Sequence, residues 1–215
     1  MKSKIGVYYN LGLRTIWLFA FAIIFLNNKI ELHSTFNKFH TTVLDNLAPI
    51  LTHVGDGLFL ILIGVVFLFI ELRISILFFI SFLITSGLVQ FLKHFVFDGM
   101  MRPMYFFQND NSFHTIEGFR YHFDNSFPSG HATSCFVLFT ILAYYFTSKI
   151  SLQILFLVCA ITFALTRVYL SQHFLNDVLA GSIIGTLFAH YLWIFLYPRL
   201  ERFNKSILIS KSKKN

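Results

Sequence analysis

The chain has few charged residues, and this shortage decides its broad class. Asp, Glu, Lys and Arg together make up 13% of the 215 residues, whereas the hydrophobic residue types make up 56%. Soluble domains carry about 25% charged and about 45–50% apolar residues. Such a small number of charges cannot cover the surface of a water-soluble globule, and the high hydrophobic content excludes a disordered chain. The composition indicates an integral membrane protein.

Cysteine, proline and glycine are also scarce. The chain has 2 cysteines, 4 prolines and 11 glycines, which excludes a disulfide scaffold and a collagen-like chain. Cys135 and Cys159 both lie inside apolar runs, so neither fits a disulfide or a metal site. Acidic residues number 10 against 17 basic ones. Six of the basic residues crowd into the segment 198–215, which favours a tail beside anionic lipid over a nucleic-acid surface.

Long apolar runs are the main feature that is present. About 20 apolar residues span a bilayer. The sequence predicts an all-α polytopic membrane protein, a six-helix bundle forming one domain over 1–215. The predicted spans are 8–27, 57–72, 74–97, 129–148, 152–170 and 175–197. With the N-terminus inside, eleven basic residues lie on the cytoplasmic side and six outside, so the positive-inside rule predicts N-in/C-in topology in the cytoplasmic membrane.

Residues 28–56 would join the first two predicted spans outside the membrane. Apolar residues recur in this segment at helical spacing: Phe36, Phe39, Val43, Leu47 and Ile50. Two interpretations remain open. The segment is either an amphipathic helix on the outer leaflet or a helix that packs across the bundle.

Charged and polar residues gather at three predicted outer helix ends. They are Lys93 and Arg102 after the third span, Ser129, Gly130 and His131 at the start of the fourth, and Arg167, His173 and Asp177 between the fifth and sixth. Charges at membrane depth are costly and mark functional sites. Because all three groups lie at the same membrane face, we expect them to form one pocket.

The residue types in this pocket favour a phosphate ligand. Three cations are present, and arginine can bind phosphate through two hydrogen bonds. Free N–H groups at a helix start near Ser129 would form an anion site. His173 and Asp177 are four residues apart, so the carboxylate can hold one ring nitrogen and leave the other as a nucleophile. His131 is a second imidazole and a candidate general acid.

The same residues resemble the signature of the type 2 phosphatidic acid phosphatase superfamily of membrane lipid phosphatases, over about residues 50–197. The family pattern is K-x6-R-P, then P-S-G-H, then S-R-x5-H-x3-D. The second motif is intact at 128–131, and the third ends at Asp177 with Thr166 in place of serine. The first departs from the pattern, since eight residues rather than six separate Lys93 from Arg102. We expect Gly99 to absorb the insertion.

The resemblance implies a mechanism. His173 would attack phosphorus to form a phosphohistidine, Asp177 would orient His173, and His131 would protonate the leaving group. The phosphoryl oxygens would be held by Lys93, Arg102, Ser129, Gly130 and Arg167. The implied partners are a lipid phosphate and the bilayer. No metal, other cofactor, nucleic acid or obligatory protein partner is implied.

The substrate and the acceptor stay open at this level. Candidate substrates are phosphatidylglycerophosphate, phosphatidate, undecaprenyl diphosphate and lipid A phosphates. Phosphoryl transfer to a lipid hydroxyl is an alternative to hydrolysis, and anion transport is a weaker one because the sequence has no internal repeat. Asp56 is expected to cap a helix rather than touch the pocket. Arg120 is a candidate headgroup contact, and His94, His114 and His122 are expected at the rim.

Overall fold

The computed structural model describes residues 5–205, and within this range the chain forms helices and no β-strand. In chain order the helices are α1 (Val7–Leu26), α2 (Lys29–Asn37), α3 (Thr42–Leu51), α4 (Gly57–Leu68), α5 (Leu72–Phe91), α6 (Pro103–Phe107), α7 (Gly130–Tyr145), α8 (Ile150–Tyr169) and α9 (Leu175–Phe195). Short 3₁₀ helices occupy Thr52–Gly55 and Tyr197–Phe203, and a π-helical turn occupies Leu92–Val96. The all-α prediction is confirmed. Lys211, Lys213 and Lys214 of the predicted basic tail lie outside the described residues.

Four of the helices are long and apolar enough to cross a membrane: α1, α5 with its π-helical turn, α8 and α9. The predicted span at 57–72 is the 12-residue helix α4, which at 1.5 Å per residue is about 18 Å long. It qualifies only together with the segment Thr42–Gly55, from which it is bent by 57°. The predicted span at 129–148 is α7, with 16 residues. The structure thus supports four to five spans by length and composition.

Helix α7 is the centre of the bundle. Nearly all of its residues are buried, and it packs against α4, α5, α8 and α9. A helix that is apolar on every side belongs in the interior of a bundle. The second sequence motif lies at the start of this central helix, so the surrounding helices all end near it.

Two glycines let α9 approach the backbone of α7. A Cβ atom at Gly181 would lie 2.4 Å from the carbonyl oxygen of Ser129, and one at Gly185 would lie 2.3 Å from that of Thr133. Small residues four apart allow this kind of close packing between membrane helices. The backbone N–H of Ser129 also donates to the carbonyl of Asp177 at 3.0 Å. These contacts fix the second motif against the third.

We expect Gly181→Ala to destabilise the protein by about 1–3 kcal/mol, because the new methyl group must push α7 and α9 apart. Gly87→Ala is the matched control, since a Cβ at that position has no heavy atom within 4 Å. The measurement is the thermal unfolding midpoint of both variants in the same detergent. Equal midpoints for the two variants would contradict the close-packing account.

The segment 28–56 forms two helices rather than the single one predicted. Helix α2 ends at Asn37, and α3 begins after Thr41, whose hydroxyl accepts a hydrogen bond from the N–H of Leu44 at 3.2 Å. This capping interaction at Thr41, four residues after the end of α2, starts α3. Several of the apolar residues singled out above are exposed, Phe39 at 70% and Val43 at 66%, while α3 packs against α8.

Candidate phosphate-transfer site

His173 lies in the short turn between α8 and α9 and is 1% exposed. Its Nδ1 atom is 3.5 Å from Oδ2 of Asp177 and forms no hydrogen bond within residues 5–205. Asp177 Oδ2 accepts hydrogen bonds from the Ser126 hydroxyl at 2.5 Å and from the Phe174 N–H at 3.0 Å. The carboxylate is thus fixed by its neighbours, and Nδ1 of His173 faces it at 3.5 Å. Nε2 is the ring nitrogen turned away from it.

Helix α9 begins at Leu175, two residues after His173. The pair therefore does not share one helix face, as the spacing of four suggested. Instead Asp177 reaches back to the N–H of Phe174, which begins the helix, and His173 precedes this cap. The N–H groups of Gln172 and His173 both donate to the carbonyl of Arg167, which fixes the turn.

The surroundings of His173 keep its ring neutral. Burial lowers the pKa of His173 well below its ordinary value, and the charges of Arg102, Arg167 and Lys93 lower it further. A neutral imidazole carries the lone pair that nucleophilic attack requires. The same three cations that hold the ring neutral would attract a phosphate group.

Two of these cations meet at one backbone carbonyl. Lys93 Nζ donates to the carbonyl oxygen of Asn125 at 2.7 Å, and Arg102 Nη2 donates to the same oxygen at 3.4 Å. Two backbone hydrogen bonds join residues 100–102 to residues 123–126. Arg102 N donates to Phe123 O, and Ser126 N donates to Met100 O. The structure therefore places Lys93 beside Arg102.

The longer spacing of the first motif is absorbed in two places. Lys93 lies in the π-helical turn Leu92–Val96, which adds a residue relative to an α-helical turn. Gly99 follows with a φ of +77°, a conformation that glycine adopts without strain. The sequence pointed to Gly99, and the π-helical turn is a feature that it did not indicate.

Gln172 links the second and third cations. Its Oε1 atom accepts from Nη1 of Arg102 at 3.1 Å and lies 3.5 Å from Nη2 of Arg167. Arg167 Nη1 also donates to the hydroxyl of Thr52 at 2.9 Å, and its buried Nε has no partner in the described part of the chain. A buried guanidinium with an unpaired N–H donor can bind an anion.

The second motif opens α7 in the way the sequence indicated. Ser129 is the N-cap, and its hydroxyl accepts from the N–H of Ala132 at 3.3 Å. Gly130 is the first helical residue. The N–H groups of this first turn and the positive end of the helix dipole together favour an anion here.

His131 is held by a carboxylate from another element. Its Nε2 atom is 2.7 Å from Oδ1 of Asp56, and Oδ2 of Asp56 is 2.7 Å from Nδ1 of His53. Asp56 occupies the N-cap position of α4 but forms no capping hydrogen bond. The expectation that Asp56 only caps its helix is therefore wrong. Each of the two motif histidines has its own carboxylate.

A cleft of about 300 Å³ leads to His131 from the side of the bundle. It lies between α5, the start of α4 and the start of α7, and its lining includes Phe82, Val89, Gly57, Gly130 and His131. The walls combine apolar side chains with polar ones such as Thr85 and Gln90, which suits the part of a lipid next to its phosphate.

Other polar residues singled out from the sequence are exposed or hold the surrounding loops. His94 and His122 are exposed. His114 contacts Asp45 at 3.0 Å and stacks on the ring of His40, so it holds the loop to α3. The Arg120 carbonyl accepts from Gln172, but its own side chain is exposed.

The threonine that replaces the family serine faces its own helix. Thr166 is buried, and its hydroxyl donates to the carbonyl of Phe163 at 2.6 Å.

Within residues 5–205, no group of three or more His, Cys, Asp or Glu side chains has the geometry to hold a metal ion.

Comparison with known families bears directly on this cluster. Residues 74–201 match the family model described as the PAP2 superfamily, and the match covers more than half of the chain. The chain belongs to the PAP2 superfamily. The resemblance to type 2 phosphatidic acid phosphatases is confirmed, and the matched region contains all three PAP2 motifs.

Curated PAP2 relatives match over short stretches. A lipid A 1-phosphatase of Rhizobium johnstonii is 38% identical over 64 residues, 30% of this chain and 25% of that protein. Phosphatidylglycerophosphatase B of Bacillus subtilis is 36% identical over 70 residues, 29% of this chain and 34% of that protein. The matched stretches thus span about a quarter to a third of these relatives.

A solved structure shares the fold over a wider range. The crystal structure of Aquifex aeolicus LpxE matches with a TM-score of 0.66 and 22% sequence identity, covering 77% of this chain and 94% of that one. At this identity the likeness establishes the arrangement of helices. Together with the long apolar helices, it makes this PAP2 chain a multi-pass membrane protein.

Proposed function

We propose that the protein is a lipid phosphate phosphatase that works through a phosphohistidine on His173. The observation that carries the proposal is the buried, neutral His173, which faces the Asp177 carboxylate at 3.5 Å and has three cations nearby. The curated relatives named as lipid A 1-phosphatase and phosphatidylglycerophosphatase B support the choice of a lipid phosphate as substrate.

The first step is attack of the His173 Nε2 lone pair on phosphorus. A P–N bond forms as the P–O bond to the lipid breaks, and Asp177 stabilises the positive charge that develops on the ring. Lys93, Arg102 and Arg167 bind the phosphoryl oxygens, together with the N–H groups at the start of α7. These groups stabilise the charge of the transition state without requiring a metal.

His131 supplies the proton for the departing lipid oxygen. Asp56 binds the N–H at Nε2, so Nδ1 is the nitrogen that exchanges a proton with the leaving group. Water then attacks phosphorus, His131 takes up one proton of that water, and the P–N bond breaks to release inorganic phosphate. Asp56 is thus a positioning residue for His131, as Asp177 is for His173.

The lipid reaches the site through the cleft beside His131. The phosphate would lie among the cations, while the first carbon atoms of the leaving group would lie between Phe82 and Val89. This path places the bridging oxygen on the His131 side of phosphorus, where the proton is needed.

The test of this proposal is phosphate release by the purified protein from a panel of lipids: phosphatidylglycerophosphate, phosphatidate, undecaprenyl diphosphate and lipid A. We expect release from at least one of them in excess EDTA, and inhibition by vanadate, which mimics the five-coordinate transition state. Loss of release on chelation that Mg²⁺ restores would overturn the metal-independent mechanism. Appearance of a new phospholipid in place of free phosphate would indicate a phosphotransferase.

We further propose six membrane spans with both termini in the cytoplasm and the site outside, because eleven basic residues then lie inside and six outside. In this arrangement α7 and the bent α3–α4 segment complete the six. A cysteine introduced at Asn111 or Ser112 should react with an impermeant reagent in intact cells. Reaction at Ser212 with protection at both loop positions would invert the topology.

A further inference from the structure

A second polar cavity lies at the other end of the bundle. It has a volume of about 90 Å³ and lies between α1, α7 and α9. Its polar lining comprises Asn10, Arg14, Trp17, Tyr144, Thr186 and His190. Tyr144 is thirteen residues after His131 on α7, which at 1.5 Å per residue separates them by about 20 Å. The cavity is therefore separate from the phosphate-transfer site and lies toward the opposite leaflet.

Hydrogen bonds hold the lining of this cavity in a defined arrangement. The Tyr144 hydroxyl donates its one proton to Oδ1 of Asn10 at 2.9 Å. Its oxygen is 2.8 Å from Nδ1 of His190, so Nδ1 of His190 must carry the proton of that contact. The Trp17 indole N–H donates to Ser182 at 2.9 Å. The cavity is therefore a fixed polar site.

Two groups in the lining have unused capacity to bind a ligand. The Thr186 residue is 5% exposed, and its hydroxyl has no hydrogen-bond partner among residues 5–205. The ion pairs found in the same range do not include Arg14. None of the chain's 10 acidic residues lines the cavity, so the charge of Arg14 is not balanced there.

The position of Arg14 is unusual for a cation. It lies seven residues into α1, about 10 Å from the start of the helix at Val7. Its side chain is exposed at the surface of the bundle, where the neighbouring Leu11 and Leu18 are exposed apolar groups. A cation at that depth is costly unless an anion or water compensates it. Basic pockets between membrane helices bind the phosphate groups of anionic lipids.

We propose that this cavity binds the phosphate group of an anionic phospholipid in the leaflet opposite to the reaction. The volume accommodates a phosphate but not a whole lipid, so the acyl chains would lie outside, along the exposed surfaces of α1 and α9. Arg14 neutralises the phosphate, while Thr186 donates a hydrogen bond to it. The aromatic ring of Trp17 suits the boundary between headgroup and acyl chains.

The test is direct binding by the full-length protein in neutral detergent, with vanadate occupying the phosphate-transfer site. Short-chain phosphatidylglycerol is titrated and its binding counted by native mass spectrometry. It is a phosphodiester, so a phosphomonoesterase does not consume it. We expect Arg14→Gln to weaken binding about tenfold or more and Lys149→Gln to leave it unchanged. Lys149 is the matched control, an exposed cation at the same end of the bundle.

One further variant and one competition measurement complete the test. Thr186→Val keeps the shape of the side chain and removes only its hydroxyl, so it should weaken binding several-fold without affecting folding. Displacement of phosphatidylglycerol by millimolar inorganic phosphate would assign recognition to the phosphate alone. Failure of displacement, with the Arg14 effect intact, would assign recognition to the whole lipid. Equal binding by the wild type, Arg14→Gln and Thr186→Val would overturn the proposal, whether or not the protein hydrolyses phosphate.

Discussion

Replacing His173 by alanine is expected to reduce phosphate release by at least about 10⁴-fold on every substrate, because the substitution removes the attacking atom. Lys93, Arg102 and Arg167 are cations without a free lone pair, and His131, the other imidazole of the site, is held by Asp56. The measurement is the initial rate of phosphate release from a lipid substrate and from nitrophenyl phosphate.

Two further variants distinguish loss of the nucleophile from loss of folding. His173→Gln nearly restores the side-chain volume at a buried position, and it should be as inactive as the alanine variant. His94→Ala is the matched control, because His94 is an exposed histidine near the same end of the bundle, and its rate should stay within about twofold of wild type. A folded His173→Gln protein with more than a hundredth of the wild-type rate would contradict the nucleophile assignment.

The second large effect is expected at His131, and it should depend on the leaving group. His131→Ala removes the proton donor, whose contribution is typically about 10²–10⁴-fold. A lipid alkoxide leaves poorly without that proton, whereas nitrophenolate leaves without help. The loss should therefore be large on the lipid and small on nitrophenyl phosphate.

Asp56→Asn should produce the same pattern with a smaller loss, because the His131 ring stays but its Nε2 contact with the carboxylate is gone. Asp98→Asn is the matched control, since Asp98 is an exposed acid at the same end of the bundle. The measurement is the ratio of the rates on the two substrates for each variant. Equal losses on both substrates in Asp56→Asn would show that this carboxylate supports folding rather than proton transfer.

The convergence of the three motifs was predictable from sequence, and for a physical reason. A membrane helix cannot carry charges at depth without partners, so the positions of Lys93, Arg167 and Asp177 within apolar runs already indicated a shared site. The start of α7 was also predictable, because proline and serine before an apolar run are a helix-start signal.

Several members of the site were not predictable in this way. The carbonyl of Asn125, where Lys93 and Arg102 meet, is a backbone atom that no side-chain pattern reveals. Gln172 is neutral and lies beside a motif histidine, so nothing marked it as the link between two arginines. Asp56 was expected to cap a helix because a polar residue before an apolar run usually does so, whereas its contact with His131 joins residues 75 positions apart.

The lengths of two helices could not be predicted from the sequence either. The apolar runs at 57–72 and 129–148 predicted longer helices, but α4 ends at Leu68 and α7 ends at Tyr145, before the apolar runs do. The bend before Gly57 brings Asp56 to His131. The segment whose apolar spacing suggested one helix is divided, because α2 ends at Asn37 and Thr41 caps a new helix, α3.

The most direct test of the central claim is to trap the phosphoenzyme. The wild-type protein is mixed with a labelled substrate, quenched within milliseconds and digested, and the labelled peptide is identified. We predict an acid-labile, base-stable phosphoryl group on the peptide that contains His173, and no label in His173→Gln. A phosphoenzyme that persists in His173→Gln, or a label that maps to another residue, would contradict the account.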